Sequence, residues 1–321
     1  MSDRQSIEHL IESKSLDETQ REKFKRVLEM RDFATRELLL PDNKSYTSYV
    51  DVKRDNVSFA VFATPELSLR PKTWCFWIVG CVPYRGYFEQ SKAEQFAQQL
   101  IDQQLDVYIA PIPAYSTLGW FSDPVLSTML NRGERVAAEY IFHELAHQKM
   151  YIENDAEFNE AFATALARIG VLRWMESENK SEEKQQYLKS IQQKQQLYPL
   201  INQLREQLTR IYALSASREE KLRQKQAAFL HYKQTVETKI SHWPHAQVYR
   251  QWLLKDLNNA KLNAFSTYQA QVPDFMALFE NCEVKLIDFY RVVEASKKLN
   301  KQQRTDFLQN HQCVLAENGQ D

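Results

Sequence analysis

The chain has 321 residues, 26% of them charged and 43% hydrophobic, with a formal net charge of −1. This near-balance provides no basic field for nucleic acid, and no apolar run approaches the roughly 20 residues of a membrane-spanning helix, which leaves membrane anchoring only to a segment outside this chain. The length suffices for one large or two ordinary domains with a buried core.

The patterning predicts an α+β chain, predominantly α. Residues 1–44 read as N-terminal helices. Ile7, Leu10 and Ile11 share one turn set and Phe24, Val27 and Leu28 another; the stronger segment, 17–36, stops before the turn Leu40-Pro41-Asp42-Asn43. From residue 45 the pattern changes to strands at 46–52, 57–62 and 73–79, punctuated by Pro65 and Pro71. Residues 84–88 read as a loop, 91–104 as a helix with Ala93, Phe96, Ala97 and Leu100 inward, and 105–111 as a further strand. Ser122-Asp123-Pro124 then opens a short helix through Leu130.

Residues 45–176 form the expected catalytic α/β unit, because 134–176 carries the chemistry. His143-Glu144-Leu145-Ala146-His147 is an H-E-x-x-H pattern on a helix-forming stretch. Positions i and i+4 lie on one helical face, so His143 and His147 can offer imidazole nitrogens to one metal ion. Glu144 adjoins that face, placed to take a proton from a water the metal activates. A catalytic zinc usually takes three protein ligands, and Glu160 is the expected third. Asn154 and Asp155 read as helix stop and N-cap, with a second helix from Asp155 to about Met175. If the two helices fold back near 153–154, His147 and Glu160 come level across the hairpin. One Zn²⁺ per chain is expected.

Past the hairpin, 177–243 turns to Gln, Glu, Lys and Leu without glycine. Leu200, Ile201, Leu204, Leu208 and Ile211 form a stripe, and Ser217-Arg218-Glu219-Glu220 is a capping box opening a second long helix. The expectation is a long antiparallel helical arm turning near 213–217, with a solvated charged face available to a protein partner. Residues 244–321 are expected to be a helical region packing on the catalytic unit. His242 and His245 read as surface histidines.

Cys75, Cys81, Cys282 and Cys313 include no C-x-x-C zinc pair. Cys75 and Cys81 are either a hairpin disulfide or two buried thiols; buried thiols are the preferred reading, since six-residue spacing constrains little.

The metal segment resembles the gluzincin metallopeptidases, in which the third ligand is a Glu on the helix after H-E-x-x-H, and Asn159-Glu160-Ala161 resembles their N-E-x element. Those enzymes usually carry an acidic residue four positions later to orient a histidine; here Thr164 stands there, so that role passes to Thr164, Asp155 or a backbone carbonyl. A closer resemblance covers most of the chain. Arg31-Asp32-Phe33-Ala34, residues 40–46, Lys72-Thr73-Trp74-Cys75, residues 80–88, residues 114–121, Asn258-Asn259-Ala260 and the region 268–275 are similar to the bacterial putative aminopeptidase family.

That resemblance implies a zinc peptidase acting on a peptide or protein. It implies hydroxyls and backbone donors for substrate from an edge strand bearing Tyr115, Ser116 and Thr117, and an oxyanion-stabilising tyrosine for which Tyr268 is first choice. Glu66 is a candidate for the substrate ammonium and Arg85 for a carboxylate or carbonyl, while Asn259 matches the family as a polar site residue. Members are commonly lipoproteins of the bacterial envelope; the chain carries no signal peptide or lipobox, so a soluble form beginning after its anchor is expected. Alternatives are an endopeptidase, a processing protease for one partner, or a non-catalytic envelope scaffold with a structural zinc.

Overall fold

A computed structural model describes residues 4–14, 16–76, 80–114, 121–266 and 271–313. The chain is α+β and predominantly helical, with short sheets, as the patterning predicts. It divides into two compact units, each built from separate stretches: 1–57, 113–181 and 267–321 make the first, 58–112 and 182–266 the second.

In the first unit, Gln5–Ser6 pairs antiparallel with Ser48–Val50, which pairs in parallel with Val125–Leu126. The last of these is a departure: a helix was expected after Pro124, and a two-residue strand precedes the short helix Ser127–Leu130. Helix Glu18–Arg36 begins where the sequence places it, with Asp17 accepting a hydrogen bond from the Gln20 amide at 2.8 Å. It buries Phe24, Val27, Met30, Phe33 and Ala34, an i, i+3, i+4 stripe.

That helix also buries Arg31, whose guanidinium clamps the following turn. Nε donates to the Ser45 carbonyl at 3.0 Å, and Nη2 to those of Pro41 and Asn43 at 2.6 and 3.0 Å. The turn then reaches the next layer, Asn43 Nδ2 donating to Gln148 Oε1 at 2.7 Å.

The centre of the unit is the antiparallel pair Glu134–Lys149 and Ala156–Ser177. Ala137, Ala138, Ile141, Phe142, Leu145 and Ala146 of the first are buried, as is nearly every residue of the second between Phe158 and Val171. Gly170 lets them approach: a Cβ there would stand 2.7 Å from Phe142 Cδ2 and 2.6 Å from Leu38 Cδ1. Helices Val272–Asn281, Leu286–Ala295 and Lys301–Asn310 supply an aromatic layer, with Phe275 packing edge-on to Phe158 and Phe162.

In the second unit the antiparallel strands run Tyr84–Tyr87, Ser58–Pro65, Leu105–Ile112. Tyr84–Tyr87 departs from the expected loop. Gly86 sits within the ladder opposite Ala60. Helix Gln90–Ile101 covers one face of the sheet through Ala93, Ala97 and Leu100, and Ala260 and Ala264 meet the other. Helices Tyr198–Ala213 and Arg218–Ile240 form an antiparallel pair turning at 214–217, with Ser217 accepting from the Glu220 amide. Their stripe of Ile201, Leu204, Leu208 and Ile211 is buried in a core with Phe229, Tyr232 and Val236.

The preference for buried thiols at Cys75 and Cys81 is overturned. Trp74–Phe76 and Gly80–Val82 form a hairpin in which Cys75 lies opposite Cys81, and the two are disulfide-bonded. Both are exposed, so burial was the wrong ground. Cys282 and Cys313 form a second disulfide, leaving no free cysteine.

Candidate metal centre

Three side chains converge within the first unit. His143 and His147 project from one face of Glu134–Lys149, their rings at 86° to each other. Glu160 comes from the second turn of Ala156–Ser177. The two Nε2 atoms are 3.1 Å apart; Glu160 Oε2 lies 3.3 Å from His143 Nε2, and Oε1 3.6 Å from His147 Nε2.

The local sequence explains the convergence. Helix Glu134–Lys149 ends at Met150 in extended conformation, and Asn154 turns the chain through φ 61°. Asn159 then pins the connection to the second helix, accepting from the Ile152 amide at 2.8 Å and donating to its carbonyl at 2.7 Å. That reciprocal pair fixes the register one residue before Glu160.

The donor triangle fits a metal ion. With zinc–nitrogen bonds of about 2.0–2.1 Å, the edges of a tetrahedron are about 3.3 Å, the scale of the 3.1, 3.3 and 3.6 Å separations. His143, His147 and Glu160 can therefore hold a metal.

The electrostatics agree. His147 is pushed down to about 4 by burial and the neighbouring His143, which keeps its ring neutral. Burial opposes a charge on His143, but the Glu160 hydrogen bond and the Glu144, Glu160 and Glu139 carboxylates outweigh it and raise its pKa. Burial likewise opposes charge on Glu160, yet the His143 hydrogen bond and both imidazoles hold it below the usual carboxylate range.

Glu144 is half-buried between the two histidines and acts electrostatically on His143. The buried Nδ1 of His147 has no hydrogen-bond partner among the described residues. Thr164 is half-buried one turn beyond Glu160. Asp155 stands at the N-cap position but does not cap; its Oδ2 accepts from Arg304 Nε and Nη2 at 2.9 and 2.6 Å.

Tyr115, Ser116, Thr117 and Tyr268 lie outside the described residues. Glu66, Arg85 and Asn259 belong to the second unit. There, the Glu66 carboxylate accepts from Arg218, and Arg85 lies over the Phe96 and Tyr87 rings. Asn259 is fully buried; Nδ2 donates to the carbonyls of Pro65, Glu66 and Ser68, and Oδ1 accepts from the Tyr212 hydroxyl. These contacts tie residues 65–68 to the helices of that unit.

Sequence reading missed Arg31, Gln148 and Arg304. Arg31 and Asn43 stand within the motifs that carry the resemblance, which was a usable signal; Arg304 had none. A family model described as Putative aminopeptidase matches residues 1–308. Comparisons with curated proteins and with solved structures give no match.

Proposed function

The chain belongs to the Putative aminopeptidase family, and on that premise we propose that it is a zinc-dependent peptidase that removes residues from the amino end of peptides. The observation that carries this reading is the triangle of His143, His147 and Glu160 with Glu144 on the intervening turn. Zinc held there supplies Lewis-acid polarisation of the scissile carbonyl and lowers the pKa of the water at the site. Glu144 takes the proton of the attacking water and delivers it to the departing amine. Glu160, His147 and His143 would contribute the lone pairs that hold the ion. Tyr268 is assigned to the developing oxyanion, with Tyr115 as a second hydroxyl donor. Two disulfides support an oxidising compartment such as the bacterial envelope. No described helix is long and apolar enough to cross a membrane.

The test is metal content in protein prepared without chelator or histidine tag, for wild type and Glu160→Ala. About one zinc per chain is expected in wild type, with marked loss in the variant, since a three-ligand site is reduced to two. A wild type that retains no added zinc overturns the reading. A free-amine peptide should then be cleaved and its acetylated twin spared; equal cleavage of both would make the enzyme an endopeptidase.

Metal uptake should also depend on pH in one direction. The His143 pKa lies above the ordinary 6.5 and the ligand form is neutral, so affinity should fall as pH drops through that value. A zinc titration against a competing chelator from pH 8 to pH 5.5 reads it; affinity that rises on acidification contradicts the assigned ligands.

A further inference from the structure

The last two α-helices of the first unit, Leu286–Ala295 and Lys301–Asn310, are closed into a loop by the Cys282–Cys313 bond. Cys282 caps Val272–Asn281, and Cys313 lies three residues beyond Lys301–Asn310. The closure is reinforced where it lies: Asn281 Nδ2 donates to the His311 carbonyl at 2.8 Å, and His311 Nε2 meets Asp274 Oδ1 at 2.9 Å. At the other end of the last helix, a reciprocal capping box between Asn300 and Gln303 fixes where it starts.

Arg304 stands one turn into that helix, and its guanidinium is committed to the metal hairpin. It meets Asp155 in a two-donor pair in which both side chains are more than nine-tenths buried. It also lies over the ring of Phe158, 5.8 Å from the centroid, while Lys301 Nζ comes within 3.5 Å of Glu157. Every one of these contacts falls on the turn immediately before Glu160. Asp155 occupies the N-cap position without capping, so its carboxylate serves Arg304 rather than its own helix. Asn159 locks the same turn to Ile152.

We propose that Arg304 is a positioning residue for the metal centre, held in place by the Cys282–Cys313 bond, so that metal affinity rises when this disulfide forms. The inference rests on reading His143, His147 and Glu160 as a metal site. The physical reason is the cost of a buried charge without its partner. When the C-terminal loop opens, Arg304 can leave and Asp155 must find water, which moves the first turn of the helix that presents Glu160. Reduction by a dithiol breaks the Sγ–Sγ bond with uptake of two electrons and two protons, giving two thiols, and the dithiol leaves as its own disulfide. Oxidation by a disulfide of an exchange partner reverses each step.

The experiment compares zinc affinity, by competition with a chelator, and amide exchange across residues 150–160 of the metal-free protein. A Cys75→Ser/Cys81→Ser background leaves only the C-terminal bond to respond to dithiol. Reduction, and Arg304→Met in the oxidised protein, should each weaken zinc binding about tenfold, the lower end for outer-shell partners of a metal, and should speed exchange at 150–160. Asp155→Asn keeps the shape of the side chain and should fall between wild type and Arg304→Met. Unchanged zinc affinity in folded variants, even with a lowered Tm, makes Arg304 merely structural and overturns the proposal while leaving the metal reading intact. A background protein that binds no zinc overturns both.

Discussion

Glu144→Gln is expected to hold zinc at the wild-type level and to lose turnover by about 10²–10⁴, the range for removing a positioned general base. Gln preserves the shape of the side chain but has no basic oxygen to take a proton, and Glu144 is not one of the three converging donors. A secondary effect has a definite sign. The Glu144 carboxylate helps to raise the His143 pKa, so its removal should lower that pKa and let zinc bind at slightly more acidic pH. Zinc per chain together with kcat on a free-amine peptide checks both points. Hydrolysis persisting in a variant free of wild-type enzyme would remove Glu144 from the mechanism.

Arg31→Met should be the most damaging substitution away from the metal. Arg31 is 5% exposed, and its guanidinium donates to three carbonyls of one turn and to Thr35 Oγ1. Met fills much of the volume but leaves those acceptors without donors. Each orphaned buried acceptor costs about 1–3 kcal/mol, and water reaching part of the turn brings the total to roughly 3–5 kcal/mol. Because Asn43 of this turn holds Gln148, beside His147, the loss should be felt at the metal centre as well. Urea unfolding of the metal-free protein followed by tryptophan fluorescence tests this. A midpoint within error of wild type would mean the turn is held by other means.

These two expectations differ in how they were reached. The convergence of His143, His147 and Glu160 was legible because its information is local: a four-residue spacing puts His143 and His147 on one face, and Asn154 marks the reversal that brings Glu160 level. The helix starts at Asp17 and Ser217 were legible for the same reason, since a capping side chain reaches only three residues on. Asp155 shows where that reasoning ends. Its side chain reads as an N-cap but makes no capping hydrogen bond, because an arginine 149 residues away claims the carboxylate. The Cys75–Cys81 pairing depended on a hairpin register that six-residue spacing does not specify, and Tyr84–Tyr87 became a strand because a neighbouring edge accepted it despite a central glycine. Arg31 lay in plain view inside a family motif without a partner to suggest its task.

The interleaving of the two units has a consequence for biosynthesis. The first unit is assembled from 1–57, 113–181 and 267–321, so the ribosome must make both stretches of the second unit before the first is complete. The helices bearing His143, His147 and Glu160 are finished by residue 177, well before Arg304 is made. During that interval Asp155 has no guanidinium to meet, and the aromatic faces of Phe158 and Phe162 await Phe275. The nascent chain therefore carries the apolar faces of Ala156–Ser177 uncovered until the late C-terminal segment packs on them. Truncated chains ending before residue 267 should be bound by holdase chaperones, and release should coincide with completion of the C-terminal helices rather than with synthesis of the metal ligands.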